Sequence, residues 1–186
     1  MPNHTFIIPI ADELLMQCAT PADAGTIYEA IDSHRTDLRT WLPFVDSLHA
    51  VSDEEEFLNS LIETPVEKRN LTFLIKKNNV FCGLIGFVLT DTINHKTEIG
   101  YWLLPEYRHQ GIMTRAVSAL IHWSIEQRQM NRIQIKCAVA NTASNAIPLR
   151  LGFQLEGVER DGELLSNGYT DINVYSLLSK EIEPTT

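Results

Sequence analysis

"EYRHQGIMTRA", Glu106 to Ala116, is the stretch on which the reading of this chain turns. It follows the apolar run "IGYWLLP" (Ile99–Pro105) and leads into "MTRAVSALIHWSIEQ" (Met113–Gln127), where apolar residues recur at helical spacing. Met113, Ala116, Val117, Leu120, Ile121 and Trp123 form one stripe, and Arg115, Ser118, His122 and Glu126 lie outside it. A strand therefore hands over to a helix through a polar loop. The start of a helix carries unpaired N–H groups and a partial positive charge, so consecutive amides there can surround a phosphate oxygen without a lysine. Gly111 permits close approach of backbone to ligand, Arg108 adds a guanidinium, and Thr114 offers a hydroxyl one turn further in. The same letters also fit an ordinary glycine turn. They do not fit a nucleotide-triphosphate loop, which needs Gly-Lys-Ser/Thr, or a dinucleotide fold, which needs three spaced glycines opening a helix.

Working outward, "LTFLIK", a turn at "KNN", "VFCGLIGFVL" and "TEIGYWLL" predict three antiparallel strands before the junction. After it, "RIQIKCAV" alternates with period two, a helix is expected around Ser144 to Leu151, and two strands near "GFQLEGVER" and "TDINVYSLL". Strand, helix, strand at this spacing implies a right-handed crossover between parallel neighbours. Nearer the amino terminus a strand is expected at Leu14 to Cys18. "TPADAGTIYEAIDSHRTDLRTWL" then reads as a helix with Thr20 as cap and Pro21 in the first helical position. "SDEEEFLNSLIE" reads as a second, with Ser52 and Glu55 at capping-box spacing and Glu54 to Glu56 complementing the helix start. The expected fold is α/β: a mixed, mostly antiparallel sheet with helices on both faces. In such sheets ligands favour the carboxyl ends of strands, where the quoted junction lies.

Composition bounds the function. At 186 residues, 44% hydrophobic and 21% charged, the chain reads as one globular domain, 1–186, ending in a short acidic tail, 181–186. The longest apolar run, Val80 to Leu89, is too short to cross a bilayer as a helix, and the start lacks a basic region followed by an apolar one, so a cytoplasmic location is expected. Cys18, Cys82 and Cys137 are odd in number, far apart and set in apolar stretches, which argues for packed, reduced thiols. The six histidines never fall in ligand spacing, so no metal site is readable. A net charge of -9 opposes nonspecific binding to nucleic acid or anionic membrane, and any anionic ligand must be held by local groups.

Three segments together, "EIGYWLLPEYRHQGIMTRAV", "CAVANTASNAIPLRLGF" and "LEGVERDGELLSNGYTDINVYSLL", resemble the GNAT acetyltransferase superfamily, and within it the branch of ribosomal-protein amino-terminal serine acetyltransferases. The resemblance runs from about Leu71 to Leu178. It implies acetyl-CoA as cosubstrate and a central strand, Glu98 to Leu104, splayed from its parallel neighbour Ile133 to Val139. Main-chain groups of Gly100, Tyr101, Trp102 and Leu103 would pair with the pantetheine arm. Amides of Arg108, His109, Gln110, Gly111, Ile112, Met113 and Thr114 would hold the pyrophosphate, with Asn141 and Ser144 near the reactive end. Met113 stands where the superfamily usually has glycine or alanine, which tightens the cradle.

Acyl transfer from a thioester to an amine needs a neutral amine, a donor for the developing oxyanion, and a proton for the departing thiolate. An α-amino group titrates near pH 8, so a modest base suffices. Glu163 and Glu98 are the candidates. In the resembling branch the glutamate at the position of Glu163 is the proposed base and the serine at Ser144 the proposed acid. Many superfamily members carry a tyrosine four residues before the glycine of "LGF"; here that position is Pro148, leaving Tyr169 or Tyr175 as fallback donors. By the same resemblance Trp41, Leu42 and Phe44 would border the acceptor, with His34, Arg35 and Arg39 adding contacts. The expected reaction is direct attack in a ternary complex. The acceptor is a protein amino terminus or a small amine, a non-catalytic acyl-CoA-binding protein being the reading from another class. Oligomeric state stays open, a homodimer included.

Overall fold

The computed structural model describes residues 6–11, 13–65 and 69–182, so most of the acidic tail lies outside the described residues. Strands β1 (Ile7–Ala11) and β2 (Leu14–Cys18) open the chain and pair antiparallel. β1 is absent from the sequence reading because Pro9 interrupts its pattern; at the edge of a sheet a proline is tolerated. Pro21 begins a 3-10 turn, and Asp23 Oδ2 accepts hydrogen bonds from the Thr20 amide at 2.9 Å and hydroxyl at 2.8 Å. Helix α1 (Ala24–Ser33) follows. The single helix expected through Trp41 breaks at His34, whose φ of -126° is not helical, and a short α2 (Arg35–Leu38) follows. Helix α3 (Val51–Glu63) starts two residues earlier than a cap at Ser52 implies: Ala50 is at the cap position, and Asp53 in the first turn accepts from the amides of His49 at 2.7 Å and Ala50 at 3.0 Å.

The meander is as expected, β3 (Thr72–Lys77), β4 (Val80–Asp91) and β5 (Lys96–Leu103). Asn78 and Asn79, both with positive φ (51° and 64°), make the two-residue turn that matches strand twist. Then come α4 (Ile112–Arg128), β6 (Arg132–Ala138), α5 (Thr142–Arg150), β7 (Gln154–Leu165) and β8 (Gly168–Leu178). The strands form one sheet in the order β1-β2-β3-β4-β5-β6-β8-β7. Its single parallel pair, β5 with β6, holds only from Lys96–Arg132 to Glu98–Gln134 before the strands part.

Burial on both faces explains why the central strands read as nearly continuous apolar runs. Phe73, Ile75, Ile85 and Ile99 pack with Ala116, Val117 and Leu120 of α4 on one side. Leu74 and Leu84 pack with Ile27 and Ile31 of α1 and Leu58 of α3 on the other. Fully buried side chains such as Phe73 and Ile75 each contribute roughly 1.5–3 kcal/mol by leaving water. Trp123 sits among Phe6, Phe73 and Phe87, with ring centroids 5.9–6.3 Å away. The two faces of helices thus clamp the sheet around the place where β5 and β6 diverge.

Candidate active site

The parting of β5 and β6 opens a cleft of about 1690 Å³ whose floor is β4 and β5 and whose walls come from α2, α3, the start of α4, α5 and β7. That exceeds the roughly 300–1,000 Å³ of a single small-ligand site. Beyond Glu98, Gly100 to Leu103 pair with β4 on one side only, leaving the edge toward β6 without a strand partner. The Leu103 carbonyl on this segment already accepts from Arg108 Nε at 3.3 Å.

At the mouth stands the amino terminus of α4. Gly111 caps it at φ 68°, a left-handed conformation that costs glycine nothing, and a Cβ there would meet no atom within 4 Å. The space on that side of Gly111 is therefore open. His109, Gly111, Ile112, Met113 and Thr114 line the cleft; Gln110 turns outward, accepting from Lys77 Nζ at 3.1 Å. Arg108 lines it too, but its guanidinium is already engaged by both carboxylate oxygens of Asp37, which ties α2 to the junction. The sequence reading passed over two cations on the cleft, Arg115 in the first turn of α4 and Arg150 at the end of α5. Neither side chain has a partner among the described residues. Helical periodicity put Arg115 on the solvent face, and a cleft mouth is solvent-facing.

Deeper in, Ser144 lies at the start of α5. It is not the cap of that helix: Asn141 is, its Oδ1 accepting from the Ser144 amide at 3.1 Å. The Ser144 hydroxyl lies 3.1 Å from Cys137 Sγ and 3.4 Å from the Tyr101 hydroxyl. Tyr101 in turn donates to the Ser144 carbonyl at 3.2 Å. Burial pushes the Tyr101 phenol far above its ordinary range and raises the Cys137 thiol, so both stay neutral and protonated. Tyr101 entered the sequence reading through its main chain alone; only the crossing of β5 past α5 brings its hydroxyl to Ser144.

In the sequence Glu163 falls between the two strands expected near the carboxyl end. It lies instead on β7, opposite Thr170, just past an irregularity in the pairing between Glu159 and Glu163 where Asp161 takes φ 51°. Half-buried in the cleft wall, its carboxyl is raised above the usual glutamate range, first by burial and then by the charge of Glu98. Glu98 also lines the cleft and accepts from Gln134 Nε2 at 3.1 Å. Trp41 and Phe44 border the same space, Trp41 packing against Ala138, Leu165 and Ile172. His34 and Arg35 do not line it. His34 bonds the Ala30 carbonyl, and Arg35 donates to the carbonyls of Val45 and Leu48, pinning the loop that carries Phe44. Tyr175 is buried behind β6, donating to Asn145 Oδ1 at 2.8 Å, and Tyr169 is 69% exposed; neither lines the cleft.

A sheet opened at one parallel pair, with helix amides at its mouth and a carboxylate and hydroxyl within, defines an acyl-transferring enzyme, an N-acetyltransferase. Residues 13–154 match the acetyltransferase (GNAT) domain, and the chain belongs to that family. It is 32% identical over 184 residues to a putative ribosomal N-acetyltransferase, YdaF, of Bacillus subtilis (strain 168), covering 96% of this chain and 98% of the relative. To the ribosomal-protein-serine acetyltransferase of Escherichia coli (strain K12) it is 30% identical, covering 92% and 96%. Among solved structures it superposes with a TM-score of 0.90 and 26% identity on RimL, a ribosomal L7/L12 α-N-protein acetyltransferase in complex with coenzyme A, over 95% of this chain and 100% of that one. The microcin C7 self-immunity acetyltransferase MccE, in complex with acetyl-CoA and AMP, matches at TM-score 0.85 and 30% identity, over 91% and 94%.

A serine hydroxyl is a weak acid, and one neutral hydrogen bond is worth about 1–1.5 kcal/mol, or roughly tenfold in rate. Ser144→Ala should therefore lower kcat about tenfold with the affinity for coenzyme A nearly unchanged, measured by steady-state kinetics and calorimetry. A thousandfold loss would make the hydroxyl the proton donor proper.

Proposed function

We propose that the enzyme transfers the acetyl group of acetyl-CoA to the α-amino group of a protein or peptide amino terminus, by direct attack in a ternary complex. The observation that carries this reading is the one cleft, larger than a single small-ligand site, lined by the α4 amino terminus, the Ser144 hydroxyl and the Glu163 carboxylate together. Amides of Ile112, Met113 and Thr114 would hold the pyrophosphate, with Arg115 and Arg150 as added cations. The bare edge of Gly100 to Leu103 would pair with the pantetheine arm. Glu163 would take the proton from the attacking amine, directly or through water, and Ser144 would hydrogen-bond the sulfur as the thiolate departs. The relatives named for ribosomal acceptors favour a protein amino terminus, and the three free, buried cysteines suit the reducing cytoplasm.

The test is thiol release from acetyl-CoA with peptides bearing serine or alanine amino termini, beside a panel of small amines and a no-acceptor control. We expect kcat/KM for the best peptide to exceed that of any small amine. Turnover of small amines alone would move the enzyme to small-molecule acetylation, and thiol release without any acetylated product would overturn both.

A further inference from the structure

Two buried polar atoms of the described residues have no hydrogen-bond partner, Glu54 Oε1 and Asn70 Oδ1, and both residues line the catalytic cleft. Both are acceptor oxygens. Such orphans are uncommon in folded proteins because a buried polar group without a partner is destabilising, so each asks for an explanation.

Glu54 is the stronger case. It lies on α3 one turn before Leu58, on the face turned to the core, and is only 4% exposed. Its neighbours Glu55 and Glu56 are exposed. Asp53 beside it is spent on the amides of His49 and Ala50. Among the described residues no cation or hydrogen-bond donor compensates Glu54, and burial raises its carboxyl to about 7. Asn70 spends its amide N–H on the Val88 carbonyl at 3.0 Å, leaving its oxygen unmatched. The rim nearby is apolar and open, with Phe57 46% and Phe44 43% exposed. Acceptor oxygens behind exposed aromatic rings suit a group that brings several N–H donors on an apolar stem.

We propose that Glu54 is a specificity subsite that binds a second, cationic nitrogen group of the acceptor, an alkylammonium or guanidinium distinct from the amine that is acetylated. This rests on the reading of the cleft as the acceptor site. A cation gives the orphaned Glu54 oxygen a donor and compensates the carboxylate, which a hydroxyl cannot, and the chain's net charge of -9 favours it.

The experiment compares acceptor pairs that differ only in that charge: serine-initiated peptides with lysine or norleucine at the second or third position, and butane-1,4-diamine against butylamine. Each pair is run with the wild type and with Glu54→Gln. In the wild type we expect the cationic member to have a KM about tenfold lower, with similar kcat, and in Glu54→Gln the ratio to fall to about two, with coenzyme A affinity unchanged. Preference among the small amines with inert peptides would keep this proposal and remove the peptide reading. No preference in the wild type, which is read without any variant, or a ratio unaltered in Glu54→Gln, would overturn it. A purely structural role is tested separately by Glu54→Leu: an unmatched buried carboxyl kept for binding should raise Tm by about 3–6 °C when replaced by an apolar side chain, whereas a structural one should lower it.

Discussion

Glu163→Gln is expected to lower kcat by about 10²–10³-fold while coenzyme A binding stays within about twofold of the wild type. The amide keeps the shape of the side chain and can still accept a hydrogen bond, but it cannot take the proton of the attacking amine. For a peptide acceptor, whose α-amino group titrates near pH 8, log kcat/KM should fall with slope one below that pH. Protonation of Glu163 should add a second break, where the slope becomes two. Burial and the neighbouring Glu98 charge place that break above the ordinary glutamate value. Glu98→Gln removes the charge and should move the break to lower pH, the direction that follows because a nearby anion disfavours ionisation of Glu163. Stopped thiol-release assays across pH measure both. A Glu163→Gln enzyme with wild-type kcat would leave Glu98 or solvent as the base.

Gly83→Ala should be the most destabilising small substitution in the central sheet. A Cβ at Gly83 would lie 2.2 Å from the Trp102 carbonyl oxygen and 2.8 Å from Leu103 Cα, both backbone atoms of β5. Neither can swing aside as a side chain would, so the β4–β5 pairing must shift at Gly83–Leu103, beside an existing irregularity in the β3–β4 register. We expect a loss of about 3 kcal/mol, or a fall in Tm of about 6–12 °C. Because Trp102 and Leu103 form part of the cleft floor, coenzyme A affinity should fall as well. Gly25→Ala is the internal control: in α1 its added Cβ meets nothing within 4 Å, so it should be neutral or stabilising by up to about 1 kcal/mol. Thermal unfolding of the pair reports whether the close approach at Gly83 is what the sheet depends on.

How far the chain could be read before folding differs from element to element. The β3–β5 meander, α4 and β6 were legible because their signals are local: two-residue periodicity, an Asn-Asn turn, and a helical stripe that begins at Gly111. β1 was not legible, since Pro9 breaks its pattern and only its place at the sheet edge excuses it. The helix from Thr20 was legible in kind but not in extent. Nothing local marks the break at His34, which is held by Arg35 reaching the carbonyls of Val45 and Leu48, ten and thirteen residues on. Glu163 looked like a loop residue because "DGELLSNG" carries turn letters; the strand continues through them by an irregular pairing with β8.

The sequence by itself determined the mixed sheet, the strand-to-helix junction, and the residue types for acyl transfer, because each depends on neighbours within a few turns or one strand. Tertiary structure alone decided which of those residues meet. It assigned Arg108 to Asp37, gave the α5 cap to Asn141 and brought the Ser144 hydroxyl to Cys137 Sγ and the Tyr101 hydroxyl, and buried Glu54 without a partner among the described residues. These are outcomes of elements far apart in the chain packing against one another, and burial and pairing of that kind leave no periodic trace in sequence.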